Sequence, residues 1–157
     1  MKKVLVAAAL CILTCSTAIA DRWYISSLSD KEVRLENLDS IAKHGAETRG
    51  WVATVNINKS LPYDLELTMF HANCAAGTVA ISAVYNYLKG TLKKTANKDR
   101  VEIGYPPPGS IADTIAKVLC KPDDVDEGLI ANIDDIKKET PKLQDFIREM
   151  AKLTKQQ

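Results

Sequence analysis

Residues 63–74 read YDLELTMFHANC and carry the clearest strand signal in this chain of 157 residues. Apolar or aromatic side chains stand at positions 63, 65, 67 and 69, and most of the intervening positions are polar. A period of two turns one row of side chains toward a core and the other row toward water. The segment therefore predicts a β-strand that packs one of its faces on a core.

Similar patterns on both sides of this segment extend the predicted sheet to about six antiparallel strands. The first two strands are separated by a turn at residues 28–31 and form a hairpin. A single helical turn is expected around residues 38–41, and a polar bend at residues 97–99. The further predicted strands are residues 22–28, 31–36, 46–57, 78–87, 91–95 and 100–103.

Residues 78–87 are the ambiguous case among these strands. Alternating Val79, Ile81, Ala83, Tyr85 and Tyr87 fit a strand. The spacing of the apolar residues between positions 81 and 88 would also line one side of a helix. A strand is favoured, because β-branched and aromatic residues fill the segment and a Lys-Gly turn follows it.

The sheet is expected to end at residues 106–108, which are all proline and lack the N–H that a strand ladder needs. Ser110 and Asp113 have the spacing of a capping box, in which the hydroxyl accepts a hydrogen bond from an amide and the carboxylate faces the positive end of the helix dipole. A helix is therefore predicted over residues 111–119. The apolar face that should lie against the sheet consists of Ile111, Ile115, Val118 and Leu119.

Residues 121–157 are predicted to form a helical C-terminal extension of two helices. Thr140 is expected to start the second helix, because Pro141 is well tolerated at a first helical position. The two apolar stripes either pack on the same domain or form a surface for a homodimer or another partner. They contain Leu129, Ile130, Ile133 and Ile136 in the first helix, and Leu143, Phe146, Ile147, Met150 and Leu153 in the second. The fold class is α+β, with an antiparallel sheet, a helix after the proline-rich turn and this extension.

The first 20 residues have the parts of a secretory signal peptide. Lys2 and Lys3 form a basic region, residues 4–14 are apolar, and residues 18–20 read Ala-Ile-Ala, as at a cleavage site. We expect cleavage after Ala20 and a periplasmic, secreted or cell-surface mature protein. The alternative is a lipoprotein anchored through Cys15.

Removal of this leader leaves 137 residues, a length typical of one domain. Loss of its two lysines changes the formal charge from +1 to −1. A nearly neutral chain has no bulk attraction for nucleic acid or anionic lipid, so no nucleic-acid partner is predicted. The mature sequence has no further apolar segment of membrane-spanning length.

Two cysteines, Cys74 and Cys120, remain after cleavage and would lie in an oxidising compartment. A disulfide between them would close a loop of 47 residues. The chain-entropy estimate for such a loop is roughly 4 kcal/mol of stabilisation. A catalytic or metal-binding thiol pair is the rival interpretation, which the long spacing and the distant His44 and His71 do not favour.

The sequence predicts no catalytic, cofactor-binding or metal-binding residue, because none of the common catalytic, zinc or phosphate-binding motifs occurs in it. Glu32, Glu36 and Asp39 are expected to form a solvated face of the first hairpin. The acidic residues at 123–127 lack the spacing of an EF-hand loop and are expected to cap the next helix. Residues 58–60, Asn-Lys-Ser, match a glycosylation sequon, which is a short and weak pattern.

The order of landmarks in residues 21–120 resembles the family of surface-adhesin protein E and its exported bacterial relatives. Each motif is short, and it is their order and spacing that carry the resemblance. The landmarks are Trp23-Tyr24-Ile25, Leu38-Asp39-Ser40-Ile41, Trp51-Val52, Tyr63 before the strand that ends at Cys74, Tyr85-Asn86 before Gly90, Pro107-Pro108-Gly109-Ser110, and Cys120.

The resemblance implies an antiparallel sheet packed against a helix, with the two matched cysteines bridged. It also implies a non-enzymatic role, since the adhesin that names the family binds host matrix and serum proteins at the cell surface. We therefore expect an exported binding module that engages a protein, cell-envelope or host ligand and needs no cofactor. The alternative is a periplasmic structural or inhibitory protein acting on another envelope protein, such as a small enzyme inhibitor. The extension at 121–157 lies outside the resemblance.

Overall fold

The computed structural model describes residues 20–57 and 61–154. The predicted leader with Cys15 and the sequon at 58–60 lie outside these ranges and stay predictions. Of the described helices, none has the length and hydropathy needed to cross a membrane.

In the described part of the chain, eight strands form one antiparallel sheet, so the α+β class is confirmed and the estimate of about six strands is too low. The order across the sheet is β7-β6-β5-β4-β2-β1-β8, and the short β3 pairs with β4. The strands are β1 (Asp21–Leu28), β2 (Glu32–Asn37), β3 (Ala42–His44), β4 (Glu47–Asn56), β5 (Leu65–Asn73), β6 (Thr78–Leu88), β7 (Thr91–Gly104) and β8 (Ile130–Ile133).

The ambiguous segment is a strand, β6, and it joins β7 through a two-residue turn. Lys89 and Gly90 in this turn have φ values of 50° and 74°. Positive φ at both positions fits the right-handed twist of a hairpin. The two predicted strands at 91–95 and 100–103 are one strand, and the expected bend between them is a bulge, since the register shifts opposite Ile81 and Ala83.

The first predicted helix of the tail is wrong. Residues 130–133 form β8, which pairs with β1 from Asp21↔Ile133 to Tyr24↔Ile130. The spacing of the isoleucines fits a helix, but the outer edge of β1 offers unpaired backbone groups that a helix could not satisfy. Two 3-10 turns, at Pro122–Asp124 and Glu127–Leu129, lie between α1 and this strand, so the acidic residues at 123–127 do not cap an α-helix.

Two helices, α1 (Ile111–Cys120) and α2 (Ile136–Thr154), cover opposite faces of the sheet. The alternation along β4 shows the division, because Val52 belongs to the core under α1 while Val55 belongs to the core under α2. The α1 core also contains Phe70, Ala72, Val79, Ile115 and Leu119. The α2 core also contains Trp23, Val33, Leu35, Ala53, Leu65, Ile133, Ile136 and Ile147.

The start of α1 is the predicted capping box. Ser110 Oγ accepts a hydrogen bond from the Asp113 backbone N–H at 3.2 Å, and Asp113 Oδ2 accepts one from the Gly109 N–H at 2.7 Å. Of the four residues predicted to face the sheet, three are buried: Ile115, Val118 and Leu119. Ile111 is an exception, since it is 54% exposed in the first turn, beyond the edge of the contact.

The second helix of the tail packs on the sheet through Leu143 and Ile147. Phe146 of the predicted stripe is 44% exposed, and the side chains of Met150 and Leu153 lie outside the described part. Ile147 is fully buried in the α2 core, and Gln144 Nε2 donates a hydrogen bond to the Asn56 carbonyl at 2.6 Å. The predicted start at Thr140 is wrong, because α2 begins at Ile136 and contains Pro141 in its interior. Thr140 Oγ1 donates to the Ile136 carbonyl at 2.8 Å, so the hydroxyl is satisfied within the helix.

Gly50 on β4 is the point of closest approach between α1 and the sheet. A Cβ atom here would lie 2.7 Å from Leu119 Cδ2 and 3.2 Å from Ile41 Cγ1. The absence of a side chain therefore lets Leu119 reach the strand, where it is 1% exposed.

A disulfide joins Cys74, just after β5, to Cys120, the last residue of α1. The sulfur atoms are 2.05 Å apart and the Cα atoms 5.6 Å apart, both ordinary for a disulfide. The bond fixes the end of the helix to the end of the strand that it covers.

The double variant Cys74→Ser with Cys120→Ser should lower the free energy of unfolding by about 4 kcal/mol, because it releases the closed loop in the unfolded chain. Urea unfolding monitored by tryptophan fluorescence measures the change. Reduction of the native protein should give a similar shift, whereas reductant should not affect the double variant. Two free thiols in the purified exported protein, or equal stability of the two proteins, would contradict the prediction.

Candidate functional site

The side of the sheet that carries α2 has an open groove where this helix begins, which we call the aromatic groove. Its volume is about 330 Å³. The floor and one end are formed by strands β1, β2, β4 and β5, and one wall is formed by residues 134–137. The lining residues are Asp21, Trp23, Asn37, Trp51, Leu67, Asp134, Asp135, Ile136 and Lys137.

The floor of the groove continues into a row of aromatic side chains. Trp51 on β4 contacts Tyr85 on β6, with ring centroids 5.6 Å apart and planes tilted by 50°. Tyr87 lies two residues further along β6 and therefore on the same face. Leu67, which pairs with Tyr85 in the β5–β6 register, fills the space between the strands. All four side chains are only partly buried.

The wall of the groove is the first turn of α2 and the two aspartates before it. Asp135 Oδ1 accepts a hydrogen bond from the Lys137 backbone N–H at 3.0 Å, and Asp135 Oδ2 lies 3.6 Å from Lys138 Nζ. Lys137 Nζ lies 5.8 Å from the centroid of the Tyr87 ring, a cation–π contact. Asp134 is exposed and makes no ion pair with any described residue.

The end of the groove holds a buried donor. Trp23 is 3% exposed, and its indole Nε1–H has no hydrogen-bond partner among the described residues. Beside it, Asn37 Nδ2 donates to Asp21 Oδ2 at 2.9 Å, and Asn37 Oδ1 accepts from the Ser40 N–H at 2.9 Å. The polar atoms of Asn37 are thus occupied, while Trp23 keeps an unused donor.

The lining contains three carboxylates and one ammonium group, so the groove carries a net negative charge. It includes no serine, cysteine or histidine among the described residues that form it. Apolar and aromatic contacts with a few polar groups at the rim suit the binding of a ligand.

A larger groove of about 440 Å³ lies on the other side of the sheet, between α1, the turn at 122–125 and β1. We call it the helix groove. Its cations are already paired, since Lys117 Nζ lies 2.8 Å from Asp113 Oδ2 and Lys121 Nζ lies 3.6 Å from Asp124 Oδ2. Tyr24 is the only aromatic residue among the described ones that line it. These features favour the aromatic groove as the candidate site.

Glu36 on β2 is buried on the α1 side, between Tyr24 of β1 and Val52 of β4 in the register. It is 1% exposed, and neither carboxylate oxygen has a hydrogen-bond partner among the described residues. Burial raises the pKa of Glu36 from 4.5 to about 7, although the nearby Ser26 hydroxyl and the positive charge of Arg34 oppose the rise.

The expectation of a solvated face is therefore wrong for Glu36. The expectation fits Asp39, which is exposed. At the surface, Asp39 Oδ1 accepts a hydrogen bond from Arg22 Nη2 at 2.7 Å. This contact lowers the pKa of Asp39. Glu32 is partly buried and pairs with Arg34. The local sequence pattern gave no signal for the burial of Glu36, because that burial depends on elements elsewhere in the chain.

His71 on β5 lies between Ser82 of β6 and Glu47 of β4. Its Nε2 is 2.7 Å from Ser82 Oγ, and its Nδ1 is 3.7 Å from Glu47 Oε2, which is too long for a hydrogen bond. The order of the groups matches a serine–histidine–acid triad, but a hydrolase also needs oxyanion donors and a cavity for the acyl group. Neither groove described above is lined by these three side chains.

Comparisons with protein-family models, with curated proteins and with solved structures find no match to this chain. The resemblance to the surface-adhesin protein E family stays a prediction from the sequence.

Replacement of Glu36 by glutamine should stabilise the protein at alkaline pH. The folded-state pKa of about 7 lies above the ordinary value of 4.5. The contribution of protonated Glu36 to the free energy of unfolding is therefore fully present below pH 4.5, and it is lost as the pH rises through 7. The free energy of unfolding of the native protein should fall by roughly 3 kcal/mol across this window.

Urea unfolding at about pH 4.5 and about pH 8 measures this change, and Glu36→Gln should flatten it. Glu127→Gln, an exposed carboxylate in the 3-10 turn before β8, is the matched control and should keep the native pH dependence. Equal pH dependence in Glu36→Gln and the native protein would show that Glu36 does not titrate as its burial requires.

Proposed function

We propose that this protein is an exported, non-enzymatic binding module that engages a protein or cell-envelope ligand through the aromatic groove. The observation that carries the proposal is the row formed by Trp51, Tyr85 and Tyr87, which is left partly uncovered beside the start of α2. Tryptophan and tyrosine dominate the binding energy of many protein interfaces, because each buries a large area with few rotatable bonds.

The arrangement of α2 explains why the row stays accessible. The helix contacts β2 and β4, and its buried residues pack on the core of those strands. Tyr85 and Tyr87 lie on β6, two strands away from β4 and three away from β2. The helix therefore seals the core and leaves the neighbouring aromatic side chains partly uncovered next to the groove.

The disulfide supports the export part of the proposal. Disulfides persist in oxidising compartments and are rare in the reducing cytosol. The bond between Cys74 and Cys120 has ordinary geometry and joins two elements of the folded domain. It agrees with a mature protein that works outside the cytoplasm, as the leader sequence predicts.

The inhibitor alternative calls for a protruding loop that could enter an enzyme cleft. The turn between β6 and β7 does not have this form, since it contains only Lys89 and Gly90 and lies beside the start of α2. A Cβ atom on Gly90 would lie 3.8 Å from the Lys137 carbonyl oxygen. The open groove therefore supports the binding module better than the inhibitor.

Substitution of Trp51 by leucine should weaken ligand capture by about tenfold or more, because it removes the central ring of the floor. The measurement compares the mature native and variant domains as baits for cell-envelope fractions and host serum proteins. Tyr105→Ala is the matched control, since Tyr105 is 77% exposed and lies outside the groove. Capture that survives Trp51→Leu unchanged would contradict the proposed site.

Fluorophosphonate labelling tests the non-enzymatic part of the proposal. We expect no labelling of Ser82, because the His71–Glu47 distance is long and the array lacks a described acyl cavity. Covalent modification of Ser82 that is lost in His71→Ala, together with esterase turnover, would contradict the proposal. Thr48→Ser places a serine hydroxyl where β4 has a threonine hydroxyl, and it controls for nonspecific labelling of serine.

A further inference from the structure

We infer that the aromatic groove binds a basic segment of a protein partner, with a lysine or arginine side chain seated against Trp51 and Tyr85. This inference rests on the proposed binding function and specifies the chemistry of its ligand. Three features of the groove and its surroundings support it: a cation already bound to the same aromatic row, an excess of negative charge at the rim, and an unused hydrogen-bond donor at the end of the groove.

The protein itself places a cation on this aromatic row. Lys137 Nζ lies over the Tyr87 ring at 5.8 Å from its centroid. The negative face of an aromatic ring attracts a cation, and tryptophan attracts it most strongly. Trp51 and Tyr85 continue the row from Tyr87, and no described lysine or arginine lies over either ring. A cation supplied by a partner would make with Trp51 and Tyr85 the kind of contact that Lys137 makes with Tyr87.

The charges at the rim select a cation over an anion. The lining contains Asp21 on β1 and, on the same wall as Lys137, Asp134 and Asp135. Asp135 is shared with Lys138, and Asp21 accepts one hydrogen bond from Asn37. Asp134 remains exposed and without an ion pair among the described residues. Opposite charges at an interface favour the correct ligand and repel ligands of the wrong sign, so an anionic segment is disfavoured here.

The buried indole of Trp23 favours a peptide over a free amine. Its Nε1–H has no acceptor among the described residues, and an unsatisfied buried donor costs about 1–3 kcal/mol. A bare ammonium group has donors only and cannot satisfy it. A peptide segment brings main-chain carbonyls, which are acceptors that a free amine lacks. The groove volume of about 330 Å³ suits one or two side chains of such a segment.

A neutral saccharide is the competing ligand, because sugars also stack on aromatic rings and hydrogen-bond to carboxylates. The two ligands differ in their response to charge. Binding of a basic peptide should weaken with salt and with neutralisation of Asp134, since both remove Coulomb attraction. Binding of a neutral sugar should depend on the aromatic floor and respond little to either change.

The test is fluorescence anisotropy with three capped, labelled probes and the mature domain. The probes are a short peptide of alternating arginine and glycine, the same peptide with glutamate in place of arginine, and a neutral chito-oligosaccharide. We expect binding of the arginine peptide only. Its affinity should fall severalfold between about 50 mM and about 200 mM salt, because screening shortens the range of the rim charges.

Asp134→Asn and Trp51→Leu should each weaken binding of the arginine peptide by roughly fivefold to tenfold, which corresponds to about 1–1.4 kcal/mol at one contact. Trp51→Tyr keeps an aromatic face and should retain most of the binding, which separates loss of the contact from loss of folding. Asp30→Asn, an exposed carboxylate on the distant β1–β2 turn, is the charge control and should bind as the native protein does.

Two results would overturn the inference. Equal binding of the arginine and glutamate peptides, or binding that is insensitive to both Asp134→Asn and Trp51→Leu, would exclude a basic ligand at this groove. Saccharide binding that is lost in Trp51→Leu but kept in Asp134→Asn would replace the ligand class while leaving the proposed binding function intact. Failure of the proposed function itself is distinguishable, because capture from envelope and serum fractions would then not depend on Trp51.

Discussion

The bond between Cys74 and Cys120 is the constraint on which the α1 side of the molecule depends. It holds the last turn of α1 over the end of β5, and the helix then lies close enough to β4 for Leu119 to contact the strand at Gly50. The strands beneath α1 lose their access to water as a result. Glu36, which belongs to the polar row of its strand, is buried there without a hydrogen-bond partner among the described residues.

The α2 side depends instead on the tail of the chain. Strand β8 pairs with β1 and delivers the chain directly to the start of α2. This path puts Asp134 and Asp135 beside Trp51, a residue more than eighty positions earlier in the sequence. The aromatic groove is thus a product of the tail and the sheet together. A domain that ended at Cys120 would have the aromatic row but no acidic wall.

The sequence was sufficient for most elements because their signals are local. The period of two in β5, the β-branched content of β6 and the capping box at Ser110 depend on neighbouring residues alone. The errors arose where distant residues decide. Ile130 and Ile133 have a spacing that suits a helix, and only the free edge of β1 makes them a strand. Pro141 is a common first residue of a helix, yet α2 begins five residues earlier because Ile136 is required in the core.

The same limit applies to the candidate site. The sequence identified the disulfide, because only two cysteines remain after the predicted cleavage and the predicted compartment is oxidising. It could not identify the aromatic groove, because Trp23, Trp51 and Asp134 come together only when the order of the strands is known. Nor could it find the burial of Glu36, whose polar row looks solvated until α1 is placed over the sheet.

The pairing of β1 with β8 also governs the order in which the protein can mature. The first strand has its outer neighbour, and the Trp23 core its Ile133, Ile136 and Ile147, only after almost the whole chain has been produced. A chain that is completed from its amino end therefore lacks both the outer neighbour of β1 and the full Trp23 core until its last fifth is present.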